Sequence, residues 1–232
     1  MKITVINGQN HKGSTYNIGK LLTDKLSGEV TEFFLPKDFG YQCTGCCKCF
    51  MEGEDKCPHY DELKKITDAM DNADVLIFTT PVYVMHCTGQ MKSLLDHYGY
   101  RFMVHRPKEK MFSKQAVVIS TAAGAGMKCA CKDITDSLFY WGVPRIYTIK
   151  SAVAAISWDE VKPEKKQKLE KTAESIARKI SFAEGRKISV PFKTKFMFGI
   201  MRMVQKKTMQ NSYDSQYWKE KGWFSKKRPW KN

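Results

Sequence analysis

The sequence predicts a doubly wound α/β fold around a parallel sheet. Short apolar, β-branched runs alternate with segments of helical periodicity, five times along the chain. The third run, "DVLIFTT", is apolar without a break, as expected of a strand covered on both faces. The loops after the first, third and fourth runs are of the type that binds ligands beyond the carboxyl ends of parallel strands.

The elements follow in order. "KITVIN" (Lys2–Asn7) is the first strand, and a Gly/Ser loop leads to a helix over Thr15–Leu26 with Ile18, Leu21, Leu22 and Leu26 at helical spacing. "VTEFFL" (Val30–Leu35) is the second strand. A cysteine-rich loop and a helix over Tyr60–Asn72 come next. Asp74–Thr80 is the third strand, Thr88–Tyr98 a helix, Gln115–Thr121 the fourth strand, and Met127–Trp141 a helix. Arg145–Ala152 is the fifth strand, and a charged helix spans Lys162–Phe182. Strands separated by helices connect as right-handed parallel βαβ units.

With 232 residues, 42% of them hydrophobic, the chain is long enough for one large domain, or one domain with a tail. No apolar run nears the ~20 residues of a membrane span. "MKITVING" lacks the pattern of a signal peptide, so a cytoplasmic protein with reduced thiols is expected. The net charge is +15, of which +10 lies between Lys187 and Asn232 (twelve Lys/Arg, two acids). The composition shifts near Gly185, which divides the chain into a main domain at 1–184 and a basic, aromatic extension at 185–232. No nucleic-acid-binding motif accompanies the basic charge, so no nucleic-acid partner is expected.

The first loop, "NGQNHKGST", matches neither GxGxxG nor GxxxxGK[ST]. Ser14 and Thr15 open the following helix, where free N–H groups and two hydroxyls suit a phosphate; as simple helix caps they would serve equally. After the third strand, Pro81, Val82, Tyr83 and Val84 offer amides and an aromatic ring to a flat ligand. After the fourth, Thr121, Ala122, Ala123 and Gly124 are small enough for close backbone approach. Three such loops point to a mononucleotide with a planar ring, and FMN fits. An ordinary loop aromatic and a tight turn are the plainer readings of the last two.

"GQNHKGSTYNIGKLL", "CTGCCKC…GEDKC", "NADVLIFTTPVY…TGQMKSLLDH" and "STAAGAGM" together resemble the NADPH-dependent FMN reductase superfamily, whose relatives include the iron–sulfur flavoproteins. The resemblance spans about Met1–Phe182. It implies a flavodoxin-like three-layer sandwich with a five-stranded parallel sheet, plus the basic aromatic extension. It also implies non-covalent FMN at a dimer interface (a homodimer or higher homo-oligomer) and NAD(P)H as co-substrate. By position it assigns the phosphate loop to Gln9, His11, Ser14, Thr15 and Tyr16. The ring-binding segment falls to Pro81, Val82, Tyr83 and Val84, and the second ring-side loop to Thr121, Ala122, Ala123 and Gly124. Gln9-Asn10-His11 replace the family's usual Ser-Pro-Arg, a change that phosphate contacts by Ser14 and Thr15 should survive.

Cys43, Cys46, Cys49 and Cys57 are spaced C-x2-C-x2-C-x7-C, which suits a [4Fe–4S] cluster. This resembles the compact motif of iron–sulfur flavoproteins. Zinc would use the same ligands, and free or redox-active thiols are the third reading. Cys87, Cys129 and Cys131 read as packing residues. His59, His86, His97 and His105 are scattered and read as surface or core histidines. In the extension, Phe196, Ile200, Met203 and Val204 share a helical face among Lys193, Lys195, Arg202, Lys206 and Lys207. That reads as a helix packed on its own domain or on a partner subunit, with peripheral contact to an anionic membrane as the alternative.

The expected function is an FMN-dependent NAD(P)H oxidoreductase. It would pass electrons to a small acceptor (quinone, nitroaromatic or free flavin) or to an iron–sulfur centre. A flavodoxin-like electron carrier or redox sensor is the alternative from another class.

Overall fold

A computed structural model describes residues 1–208 and 212–231. Five strands, β1 (Lys2–Asn7), β2 (Glu29–Phe34), β3 (Val75–Pro81), β4 (Gln115–Ala122) and β5 (Arg145–Ala152), form one parallel sheet in the order 2-1-3-4-5. The helices are α1 (Ser14–Thr23), α2 (Lys48–Met51), α3 (Tyr60–Asn72), α4 (Gly89–Asp96), α5 (Met127–Trp141), α6 (Pro163–Phe182), α7 (Phe192–Thr208) and α8 (Tyr213–Glu220). The chain order makes β1/β3 the switch point of a flavodoxin-like sheet, where a crevice opens at the carboxyl edge.

Even the unbroken apolar strands sort their side chains by alternation. Val75 and Ile77 of β3, with Val117 and Ile119 of β4, face Ile18 and Leu22 of α1 and Leu169, Ala173 and Ile176 of α6. Leu76 and Phe78, with Ala116 and Val118, face Leu63, Ile66, Met91, Leu94, Ile134 and Leu138 of α3, α4 and α5. The sheet is therefore the middle of three layers. Strand β2 lies on the edge, with its first four residues exposed. Helix α5 ends on Gly142 at φ +100, where a Cβ would stand 2.5 Å from the Phe112 ring, so only glycine fits.

The C-terminal helices have their own apolar cluster. Phe198, Trp218 and Trp223 gather with Met103, Phe112 and Val190, and the two tryptophans are fully buried. Each such side chain contributes about 1.5–3 kcal/mol on burial. Arg202 closes the end by donating to the carbonyls of Trp223 (2.7 Å) and Phe224 (2.5 Å). Helix α7 turns Thr194 and Phe198 inward. The face of Phe196, Ile200, Met203 and Val204 is partly covered within the chain, with Phe196 58% and Met203 51% exposed and Ile200 and Val204 half-buried, because the tryptophans lie on the other side.

Candidate active site

The loops at the carboxyl ends of β1, β3 and β4 are tied to one another by short polar contacts. Thr88 Oγ1, the N-cap of α4, donates to Gly8 O at 2.6 Å and accepts from Met91 N at 3.2 Å. Thr79 Oγ1 donates to Asn7 Oδ1 at 2.9 Å. Thr15 Oγ1 and Thr121 Oγ1 are hydrogen-bonded to each other at 2.5 Å. A Cβ at Gly8 would stand 2.9 Å from Thr79 O, so glycine lets the first loop close on β3.

Ser14 begins α1. Its hydroxyl is buried without a hydrogen-bond partner, and Gly13 before it supplies no side-chain cap. An orphaned buried hydroxyl beside the free N–H groups of a helix start is the donor set a phosphate monoester needs. Thr15 is different: its hydroxyl is engaged by Thr121, so its side chain braces two loops and what it could offer an anion is its backbone N–H. Gln9 and His11 touch each other, Gln9 Nε2 lying 3.3 Å from His11 Nε2, on the exposed rim. The Tyr16 ring rests against Phe34 at 5.9 Å, with the Lys12 ammonium 5.2 Å from its centroid.

The β3 loop has a conformation the sequence did not announce. Tyr83 and His86 exchange backbone hydrogen bonds (2.9 and 3.1 Å) around Val84 and Met85, which have φ +46 and +71. Positive φ at both central residues is the pattern of a type I′ turn, normally filled by Asn or Gly. A β-branched residue there stores strain, of the kind that accumulates at functional sites. Val84 is 95% exposed and Tyr83 about half exposed. Asp133 of α5 holds the turn's exit, with one carboxylate oxygen 3.1 Å from His86 Nδ1 and accepting Cys87 N–H at 3.1 Å. Gly126 (φ +95) sits under the turn, where a Cβ would come 2.5 Å from Val82 Cγ1. Ala123 and Gly124 are exposed beside it, and Pro81, Val82 and Ala122 are half-buried. The site residues read from the sequence thus lie on the three adjoining loops of one sheet edge, among the residues described. The His86–Asp133 pair was missed; its members are 47 positions apart, and no local pattern joins them.

The cysteine loop follows β2 and is mostly exposed. Burial pushes the Cys49 thiol up to about 11, and negative charge on Cys57, Cys43 and Cys46 would push in the same direction. Burial also raises Cys57, with Cys46 and Cys43 contributing. Cys49 and Cys57 therefore lie close enough to Cys43 and Cys46 to be affected by charge on them. A backbone hydrogen bond from Lys48 lowers the Cys46 thiol. Cys47, in the left-handed region at φ +59, donates to Gly45 O at 3.4 Å. Among the described residues, the trio of metal-type donors whose ligand atoms lie within 4.8 Å of one another is Cys57, His59 and His97.

The extension braces this loop. Arg106, 1% exposed, donates to the carbonyls of Cys49 and Phe50 and pairs with Asp214 of α8. Asp214 also meets His105 Nδ1 at 2.6 Å, and Lys108 reaches Glu54 at 2.6 Å. Of the four histidines beyond His11, His59 and His97 pair together, and His86 and His105 each meet an aspartate.

Comparison with known proteins agrees with this architecture. The chain is 30% identical over 99 residues to an iron-sulfur flavoprotein of Archaeoglobus fulgidus, covering 41% of this chain and 48% of that protein. It is 27% identical over 108 residues to an NADPH azoreductase of Bacillus sp. strain OY1-2, covering 46% of this chain and 55% of that one. It thus spans about half the length of these curated relatives. The fold matches an NAD(P)H:quinone oxidoreductase from Methanothermobacter marburgensis with a TM-score of 0.58 at 14% identity, covering 78% of this chain and 97% of that one. It also matches an FMN-dependent NADH-azoreductase from Bacillus anthracis, solved with FMN, with a TM-score of 0.56 at 11% identity, covering 76% and 100%. The family model for NADPH-dependent FMN reductases matches residues 1–158, from β1 through β5 and the loop beyond, and the chain belongs to that family.

Proposed function

We propose that the protein is an FMN-dependent NAD(P)H oxidoreductase acting on a small acceptor such as a quinone, nitroaromatic or free flavin. The observation that carries this is the unpartnered Ser14 hydroxyl at the start of α1, on the same sheet edge as two open ring-type loops. The residues present fit FMN. Ser14 and the N–H groups of the Gly13–Tyr16 segment would hold the phosphate, with Gln9 and His11 on the rim. Val82, Tyr83 and Val84 would line one side of the ring, and Thr121, Ala122, Ala123 and Gly124 the other. When bound, FMN supplies hydride acceptance from the nicotinamide and electron release to the acceptor. The chain contributes position: the Thr15–Thr121 and Thr88–Gly8 contacts lock the loops, and Asp133 anchors the turn that carries Tyr83. Assembly as a homodimer belongs to the same proposal.

A second reading sends electrons on to an iron–sulfur centre on Cys43, Cys46, Cys49 and Cys57. The spacing of the four cysteines in one loop, the influence of Cys43 and Cys46 on Cys49 and Cys57, and the names of the relatives support it. The test is anaerobic purification followed by steady-state oxidation of NADH and NADPH with a quinone, with and without added FMN. FMN-dependent turnover supports the oxidoreductase. Bound FMN with no oxidation of either nicotinamide supports an electron carrier or redox sensor. Failure to bind FMN removes both. No helix among the described residues is long and apolar enough to cross a membrane.

A further inference from the structure

We propose that Cys57, His59 and His97 bind a single divalent d-block ion, zinc by preference, at the base of the cysteine loop. The inference goes beyond the flavin reading and stands independently of it. The three ligand atoms lie within 4.8 Å of one another. His59 Nδ1 and His97 Nε2 are 3.0 Å apart. Two imidazole nitrogens on a tetrahedral zinc, each ~2.0–2.1 Å from the metal, stand ~3.3 Å from each other. The pair needs to open by only a few tenths of an ångström.

The chain itself sets the imidazole orientations. His97 Nδ1 lies 2.7 Å from the Ser93 carbonyl, which can only accept a hydrogen bond. The proton therefore sits on Nδ1, and Nε2 presents its lone pair towards His59. A ligating histidine whose other nitrogen donates to a carbonyl is the usual outer-shell arrangement at metal sites. Phe39 meets the His97 ring edge-on at 4.9 Å, and Tyr41 stacks on His59 at 4.8 Å. His97 is 4% exposed, while Cys57 and His59 are half-buried, so an ion can enter from the loop side.

One thiolate with two imidazoles is a borderline-soft set that suits zinc, with water or an incoming donor in the fourth position. Without an ion, His59 Nδ1–H donates to His97 Nε2. On binding, that proton moves to Nε2 of His59 and the Cys57 thiol loses its own, so one proton is released per ion. The ion would join the segment before α3 to His97, directly after α4, and pin the cysteine loop to the core. Cys57 is also the fourth member of the iron–sulfur quartet. One thiolate serves one of these centres, so the two assignments exclude each other.

The test uses the full chain, purified anaerobically, analysed for iron, sulfide and zinc, then stripped and titrated with cobalt(II) chloride. The expected result is one ion per chain, with thiolate-to-cobalt charge transfer and visible bands of a four-coordinate site. Affinity should fall at least 100-fold in Cys57→Ser and in His59→Ala and stay within a few-fold in Cys46→Ser. His97→Gln should match Cys57→Ser, and far-UV circular dichroism shows whether that buried change still folds; His59→Ala decides the matter if it does not. Four irons with sulfide, lost in Cys46→Ser, would overturn the proposal in favour of the cluster. Absence of stoichiometric cobalt binding, or binding that survives both Cys57→Ser and His59→Ala, would also overturn it. Because the readout is metal content and cobalt spectra, it is independent of whether FMN binds.

Discussion

The carboxyl edge of the sheet and the cysteine loop are both rich in candidate chemistry, yet they are held in place by opposite means. At the sheet edge, consecutive βα units bring their loops side by side, and small hydroxyl residues stitch neighbour to neighbour. Thr88 to Gly8 and Thr15 to Thr121 are such stitches. The cysteine loop follows an edge strand with a largely exposed start, and topology sets no second strand-end loop beside it. It is held from outside, by Arg106 on its carbonyls and by Asp214 of α8 behind Arg106. A site made by topology tolerates local change. A site made by one buried ion pair depends on that pair.

The largest effect should therefore come from the brace. Asp214→Asn leaves the Arg106 guanidinium buried with its main counter-charge gone, and should cost about 3 kcal/mol in urea unfolding. Alkylation of the loop cysteines should speed up as well. An unchanged midpoint would mean that Glu54 alone suffices for Arg106. At the sheet edge, Gly126→Ala places a Cβ against Val82 at positive φ and should cost about 1–3 kcal/mol. FMN affinity should fall with it if the turn carries the ring.

Ser14→Ala removes one hydroxyl from the proposed phosphate site and should weaken FMN about tenfold, read by fluorescence titration, with stability unchanged or slightly raised. Met85→Gly relieves a left-handed residue in the exposed turn and should stabilise by about 1 kcal/mol. Loss of FMN affinity in that variant would show that the strain positions the ring. The effect that leaves the fold itself untouched is an ordering of thiol reactivity. At pH 8 a thiol titrating at about 11 is about one part in a thousand thiolate, so Cys49 should alkylate far more slowly than Cys46, whose thiol is lowered by Lys48. Raising the pH towards 11 should speed Cys49 by a larger factor than Cys46, followed by mass spectrometry.

Much of the fold was legible from short-range pattern. The strands Lys2–Asn7 and Arg145–Ala152 and the helices over Tyr60–Asn72 and Met127–Trp141 have the bounds that periodicity predicts, and no end of the other predicted strands and helices shifts by more than three residues. Glycine and hydroxyl residues at strand ends identified the loops of the candidate site, because α/β topology places such loops together whatever their partners. What could not be read was long-range. Nothing local predicts positive φ at Val84 and Met85, since their side chains argue against it. Nothing in the run of Lys193–Lys207 says which face is covered. Four histidines that looked scattered found partners through the fold.

Composition, alternation and strand-end loops by themselves determined the layers and the parallel sheet, while the family entered through the resemblance of four motifs. Each depends on interactions within a turn or two of chain, repeated along it. Tertiary structure alone decided that Thr15 braces a loop while Ser14 stands free. It brought Cys57 to His97, and it set the extension's Asp214 behind the cysteine loop. Apart from the unpartnered Ser14, those are meetings of polar groups that the fold delivers to one another from 38 or more positions away. A linear sequence carries such groups but not their meeting.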